Sequence, residues 1–236
     1  MDKESLSRYQ AAHKILTEFK YQLKPVMRGY AGRTLYVNVG TCKIEEKTVT
    51  EKMVDTFTGG RGFCLWLLWN GVNDTTKWDD PENELLVAGG PIGGISSYPG
   101  SGKSTVVTIS PLTNVVIDSN SGGYFGPYLK FSGWDALEVQ GKASEDVVVV
   151  IDGDNGVVRI ETAPLESADT HIINRILTEM YAGEEGNLRS VSVISAGTAA
   201  EYVPMCGLNI SYYDPRRDEV RIKQAARGGA GRVLRD

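Results

Sequence analysis

The chain has 236 residues, of which 41% are hydrophobic and 23% charged, as in an ordinary globular protein and unlike a disordered one. Its 25 basic and 30 acidic residues leave a net charge of −5, which argues against nucleic acid and an anionic membrane as partners. The longest apolar runs, 63–69 and 147–151, are far shorter than the ~20 residues of a membrane span. Three widely spaced cysteines and two histidines exclude a zinc or iron–sulfur site built from neighbouring residues. We therefore expect a cytoplasmic protein without a disulfide framework.

The first elements that the apolar pattern predicts are an added helix and a hairpin. Residues 1–27 predict one amphipathic helix, packed on its own domain or docked on a partner, because apolar side chains recur at three- and four-residue steps. These side chains are Leu6, Tyr9, Ala12, Leu16, Phe19 and Leu23. We expect this helical extension, residues 1–28, to precede one domain over residues 29–236. In that domain, 33–39 and 42–49 alternate as a hairpin, and Thr50 can cap a short helix that ends at residue 57.

The rest of the chain predicts more strands than helices. Helices are expected at 63–69, 124–131 and 169–181, the last with Ile172, Ile173, Ile176 and Leu177 facing inward. Strands are expected at 85–88, 105–109, 115–118, 136–139, 147–152, 157–161, 191–195 and 202–210. Because tight turns join many of these strands, we expect an α+β fold with mixed or antiparallel sheets.

Glycine is unusually frequent, with 27 residues that cluster at the ends of apolar segments. Glycine is needed where the backbone turns sharply or comes close to a ligand. The cluster around Gly102-Lys103-Ser104 looks like the phosphate-binding loop GxxxxGK[ST], but Ser97 stands at its first glycine and a strand, not a helix, is expected next. Nucleotide binding is therefore disfavoured. Lys103 is either a plain surface lysine or one that faces another anion.

Two further glycine clusters are predicted to bind anions, because each can present successive backbone N–H groups. The first comprises Asn120, Ser121, Gly122, Gly123 and Tyr124, where a strand is expected to end and a helix to begin. The second comprises Ala225, Ala226, Arg227, Gly228, Gly229, Ala230 and Gly231. Its arginine can bind a phosphate through two hydrogen bonds. An ordinary turn and a solvated basic loop are the alternatives, and two anion sites would suit a ligand with two phosphates or two phosphorylated ligands.

Several segments between residues 29 and 236 match one known family in the same order. They are Gly29-Tyr30, Gly59-Gly60-Arg61-Gly62, Ala88-Gly89-Gly90-Pro91, Ser110-Pro111-Leu112-Thr113, Asn120-Ser121-Gly122-Gly123-Tyr124-Phe125-Gly126, Leu129-Lys130-Phe131-Ser132-Gly133-Trp134-Asp135-Ala136 and Ala226-Arg227-Gly228-Gly229-Ala230-Gly231. Together they resemble the N-terminal domain of tungsten-containing aldehyde ferredoxin oxidoreductases. The resemblance implies an α+β domain of two intertwined β-repeats with short flanking helices.

The resemblance also implies a cofactor. In the family, two pterins hold tungsten, sometimes molybdenum, and a magnesium ion bridges the pterin phosphates and binds backbone carbonyls. By position, the magnesium carbonyls fall at Asn120 and Gln224. The cofactor-side residues fall at Ser121, Gly122, Gly123, Tyr124, Ala225, Arg227 and Gly228. Lys103 stands where the family usually has an arginine between pterin and iron–sulfur cluster, and a lysine keeps the charge without the planar fork.

The function implied by the resemblance is that of a metallopterin-binding part, either a subunit or a truncated form, of a larger oxidoreductase. Such an enzyme oxidises aldehydes to carboxylates and passes electrons to ferredoxin or an electron-transfer subunit. The mostly helical domains that bind the [4Fe–4S] cluster in the family lie outside this chain. We therefore expect a cluster-binding partner, no catalytic residue here and no turnover by this chain alone. The alternative is a non-catalytic scaffold or interaction protein that keeps the fold and has lost the cofactor.

Overall fold

Short helices and strands alternate through residues 3–163, 169–182 and 187–236, the ranges that the computed structural model describes. The helices are α1 (Lys3–Ala12), α2 (Glu51–Phe57), α3 (Arg61–Gly71), α4 (Phe125–Phe131), α5 (Thr170–Tyr181) and α6 (Ala230–Arg235). The strands are β1 (Ile15–Lys20), β2 (Arg33–Asn38), β3 (Lys43–Thr48), β4 (Glu84–Ala88), β5 (Ser104–Ile109), β6 (Val116–Ser121), β7 (Ala136–Gln140), β8 (Val147–Asp152), β9 (Val157–Thr162), β10 (Ile194–Ser195), β11 (Leu208–Asp214) and β12 (Glu219–Ala225). The expected α+β class is confirmed.

The strands form one six-stranded sheet and two three-stranded sheets. The large sheet has the order β3-β2-β7-β4-β5-β6, and the small sheets have the orders β1-β9-β8 and β10-β11-β12. In the large sheet β7 runs parallel to β2 and antiparallel to β4. Alternation along β2 sends Leu35 and Val37 into the main core, with Val158 and Ile160 of β9 among its other members. The opposite face of the large sheet is covered by α3, which buries Phe63 against it.

The chain contains two intertwined repeats of one arrangement of elements. Each repeat starts with a hairpin of two six-residue strands, β2–β3 or β8–β9. A helical segment, a strand, a second hairpin and a short helix follow, so that β4, β5, β6 and α4 correspond to β10, β11, β12 and α6. The short helices are exchanged between the repeats, because α4 packs on β11 and α6 packs on β5. The expected pair of intertwined β-repeats is therefore confirmed.

The N-terminal extension differs from its prediction. Only Lys3–Ala12 is helical, and Ile15–Lys20 forms β1, which pairs antiparallel with β9. The prediction of one helix over 1–27 was therefore wrong. The apolar pattern of residues 15–20 fits a strand as well as a helix, and the hydrogen bonds available at the outer edge of β9 favour the strand. The division of the chain at residue 28 stays a prediction.

The C-terminal part also departs from its predicted elements. The strand expected at 202–210 lies instead at Leu208–Asp214, and residues 191–195 keep only the short β10. The strand β12 was missed, because its charged sequence Glu-Val-Arg-Ile-Lys-Gln-Ala resembles that of a solvated loop. Its pairing with β11 makes it a strand. In α5, Ile172 is 49% exposed rather than inward, and Asn174 and Thr178 are buried instead. Thr178 shares a hydrogen bond with Ser211 of β11, which explains how a polar side chain faces inward.

No helix in the described ranges is long and apolar enough to cross a membrane.

Candidate functional site

The two predicted anion-binding clusters occupy equivalent places in the two repeats. The first lies between the end of β6 at Ser121 and the start of α4, and the second lies between the end of β12 at Ala225 and the start of α6. Both turns contain glycine in the left-handed region, with φ of +111° at Gly123 and +68° at Gly228. Asn120 and Gln224 are each the last residue but one of their strands. The fold thus relates the two clusters, although about 100 residues separate them in the sequence.

The second turn lies against β6, the strand that leads into the first turn. The Arg227 N–H donates to Ser119 Oγ at 3.2 Å, and Ser110 Oγ donates to the Gly228 carbonyl at 2.7 Å. A Cβ at Gly228 would lie 2.7 Å from the Ile117 side chain, so only glycine lets the second turn approach β6 this closely. The sequence predicted two separate turns, and the tertiary structure packs the second turn against the strand that leads into the first.

The backbone of the first turn is open. Within the described ranges, the N–H groups of Gly122, Gly123 and Tyr124 donate to no other residue. A Cβ at Gly122 would meet nothing within 4 Å, so this part of the backbone borders open space. Unpaired N–H groups beside open space are the groups that bind an anionic oxygen in a backbone nest. A phosphate therefore fits the residues present here.

Two arginines from different elements meet at one carboxylate beside these turns. Asp118 of β6 forms an ion pair with Arg61 at 2.7 Å and lies 3.5 Å from the Arg227 guanidinium. The two arginine side chains remain 59% and 70% exposed, so they contribute little to stability and stay accessible to a ligand. Lys103 is exposed as well. Three cationic side chains and one carboxylate leave this surface locally positive on an acidic protein.

A pocket of about 200 Å³ adjoins the first turn. It is lined by glycines of two more clusters, Gly60, Gly89 and Gly90, together with Lys103 and Thr105. Thr105 Oγ1 donates to the carboxamide oxygen of Asn120 at 3.0 Å, which connects the pocket to the turn. The Asn120 side chain is thus held by the sheet, and its contribution to a ligand would come from the backbone.

A buried lysine that sequence reasoning left without a role holds this region together. Lys130 of α4 donates to the carbonyls of Gly29 and Gly90, and its Nζ lies 4.0 Å from Asp135. Asp135 in turn accepts from the N–H groups of Ala31 and Gly32 at 3.0 and 2.8 Å. Burial lowers the pKa of Lys130 and raises the pKa of Asp135. Both residues lie in the largely apolar segment 129–136, which is one of those that resemble the family. Two charged residues in such a segment are the signal that could have revealed the pair.

The predicted site residues have different exposures. Exposed are Lys103, Asn120, Gln224 and Arg227; half-buried are Gly122, Gly123, Tyr124 and Gly228; buried are Ser121 and Ala225. Their roles toward a cofactor stay predictions.

The fold and its paired glycine turns define a two-repeat α+β domain with an open, locally positive surface. Comparison with known proteins then gives the family. A family model described as "Aldehyde ferredoxin oxidoreductase, N-terminal domain" matches residues 34–236. The chain belongs to this family, as the resemblance predicted.

Curated relatives and one solved structure extend this assignment. The tungsten-containing aldehyde ferredoxin oxidoreductase of Pyrococcus horikoshii is 37% identical over 74% of this chain and 28% of the relative. The enzyme of the same name from Pyrococcus furiosus is 34% identical over 88% of this chain and 32% of the relative. The chain thus spans about a third or less of the length of these relatives, which are oxidoreductases.

Other matches bear different names. A protein of Pyrococcus furiosus named "Aliphatic sulfonate oxidoreductase, WOR-like subunit" is 32% identical over 66% of this chain and 25% of the relative. The structure "Active site complex BamBC of Benzoyl Coenzyme A reductase in complex with 1,5 Dienoyl-CoA" matches with a TM-score of 0.74 and 27% identity, over 87% of this chain and 29% of that chain. Similarity therefore reaches proteins whose names give different substrates, and the substrate does not follow from family membership.

Proposed function

We propose that this chain forms the phosphate-binding base of a tungsten or molybdenum bis-pterin site in an oxidoreductase of this family. The observation that carries the proposal is the pair of glycine turns, which the two repeats place equivalently, with the second turn packed on the strand that leads into the first. In this proposal the carbonyls of Asn120 and Gln224 coordinate magnesium. The open N–H groups of the first turn, with Arg227 and Gly228 of the second, bind the two phosphates.

The residues present fit such a group. Each phosphate needs N–H donors and nearby positive charge. The open backbone at Gly122 supplies donors in the first turn. Because the Arg227 backbone N–H already donates to Ser119, the second turn contributes its exposed guanidinium group, with that of Arg61 nearby. When bound, the metal–pterin group supplies the redox chemistry. The chain's own residues bind and orient the phosphates, and Lys103 contributes a cation at the adjoining pocket.

The remaining parts of the enzyme are proposed to lie on polypeptide beyond this domain. They would supply the [4Fe–4S] cluster, the acid–base residues for oxidation of an aldehyde to a carboxylate, and the contact with ferredoxin or another electron acceptor. An apolar surface beside the pocket supports docking of that part, because Ile92, Ile95 and Tyr98 are about half exposed in the loop that follows Gly90.

The test is cofactor loading in a host that makes metallopterins. The chain is co-expressed with the polypeptide that carries the rest of the family's length, and the purified complex is analysed for tungsten, molybdenum and pterin. Gly122→Val places a side chain in the open space, so we expect at least about a tenfold loss of pterin with little change in unfolding free energy. Gln224→Ala is the matched control, because the proposal uses only the backbone carbonyl of this residue, which alanine keeps. Cofactor loading should therefore persist in this variant.

Two outcomes would overturn the proposal. A complex that forms but contains neither metal nor pterin would favour the scaffold alternative. A wild-type content of pterin in Gly122→Val would show that the first turn does not bind the cofactor.

A further inference from the structure

One edge of β8 pairs with no strand in the part of the chain that the structure describes. β9 pairs with one edge of β8, and no described strand pairs with the other. The strand reads Val-Val-Val-Val-Ile-Asp, without proline and without charge before its last residue. Exposed sheet edges are normally protected by lysine, proline or a covering element. An apolar edge of this kind indicates that something else pairs with it.

The first repeat shows what stands at the corresponding place. There β7 follows α4 and lies between β2 and β4, parallel to the first and antiparallel to the second. In the second repeat β8 corresponds to β2 and β10 corresponds to β4. No described strand lies between β8 and β10, so the position equivalent to β7 is vacant in the described ranges.

A cavity of about 1020 Å³ lies at this position. A six-residue strand, at 3.3 Å per residue, 4.8 Å between neighbours and 10 Å between stacked layers, occupies about 950 Å³. The cavity is bordered by all of β8, by residues 190–196, and by the end of α6. Its volume and borders therefore suit one strand.

Both faces of such a strand would be buried. On one side the cavity meets the core residues Leu85, Leu137 and Val139 of the large sheet, and on the other it meets Ile173 and Leu177 of α5. A strand buried on both faces is apolar throughout rather than alternating. The occupant is thus an extended, apolar segment without charged side chains at its centre.

We propose that this gap, which we term the β8–β10 slot, receives one β-strand, parallel to β8 and antiparallel to β10, from the polypeptide that carries the remaining length of the family's proteins. The relatives extend well beyond the 28% and 32% of their length that this chain matches, so they contain such polypeptide. In the order of the first repeat the strand comes after the short helix, which places its entry beside the end of α6. The proposal does not depend on the cofactor and holds or fails separately from it.

The experiment uses the chain itself and a probe copied from the first repeat. The probe variant carries, after Asp236, a copy of residues 133–140 with valine in place of the Glu138 copy, because Val148 and Val150 lie on the corresponding face of β8. The control variant carries the same extension with proline in place of the Leu137 and Val139 copies, which cannot pair within a sheet. Hydrogen exchange of β8 is measured by mass spectrometry in all three chains, with β5 as an internal reference.

The expected result is fast exchange of β8 in the unextended chain and in the proline control, and at least about tenfold slower exchange in the probe variant. Co-expression with the rest-of-family polypeptide should protect β8 to the same degree. Slow exchange of β8 in a monomeric unextended chain would overturn the proposal, and so would unchanged exchange in both the probe variant and the co-expressed complex. Protection that accompanies a dimer of the unextended chain would assign the slot to a second copy and also overturn it.

Discussion

Replacing Lys130 with methionine tests whether the buried lysine holds the glycine loops of the candidate site in place. Methionine keeps the unbranched length of the side chain and removes the charge and its donors. Lys130 is only 5% exposed and donates to the carbonyls of Gly29 and Gly90. The substitution therefore leaves two carbonyls without this donor and leaves Asp135 without its neighbouring cation.

The expected loss follows from these contacts. A hydrogen bond to a charged group contributes about 1.5–3 kcal/mol, and two are removed. Burial of the ammonium group, which lowers the pKa of Lys130, already costs part of that sum, and the N–H groups of Ala31 and Gly32 still satisfy Asp135. We expect Lys130→Met to lower the unfolding free energy by about 3 kcal/mol, a large part of the stability of an ordinary domain.

Urea unfolding at neutral pH, followed by tryptophan fluorescence, measures this loss, because Trp134 is fully buried in the main core. Lys103→Met is the matched control, since that lysine is exposed and its replacement should change the unfolding free energy by less than about 0.5 kcal/mol. The reasoning is refuted if both variants unfold at the same urea concentration.

Two other substitutions test the fold around the site. Burial and the nearby Glu138 carboxylate raise the pKa of Glu84 to about 8, so the native state keeps a proton that the unfolded chain loses above its ordinary pKa. The unfolding free energy of the wild type should therefore fall by on the order of 3 kcal/mol between about pH 5 and pH 9, whereas that of Glu84→Gln should fall less. Equal pH dependence of the two proteins in urea unfolding would contradict this. Gly229→Ala places a Cβ 1.9 Å from the Pro204 carbonyl oxygen at a φ of +81° and should cost about 2 kcal/mol or more. Its control, Gly122→Ala, meets open space, and thermal melting that does not separate the two variants would count against the explanation.

Local sequence determined much of this protein. The hairpins 33–49 and 147–162 follow from alternation and turn residues, and the Thr50 cap of α2 follows from a hydroxyl that accepts from Met53 N–H. The glycine clusters were also visible, because the need for glycine at Gly123 and Gly228 is a property of a few neighbouring residues. The matched segments predicted the family, which the family model confirmed.

Only the tertiary structure decided how these pieces meet. Residues 15–20 form a strand because β9 offers them an edge, and the charged β12 exists because β11 pairs with it. The packing of the second glycine turn on β6, the buried position of Lys130 and the place between β8 and β10 that no described strand fills all depend on contacts between residues far apart in the chain. A strand or a site of this kind takes its stability from a distant partner, and the periodicity and turn chemistry of a short segment carry no record of that partner.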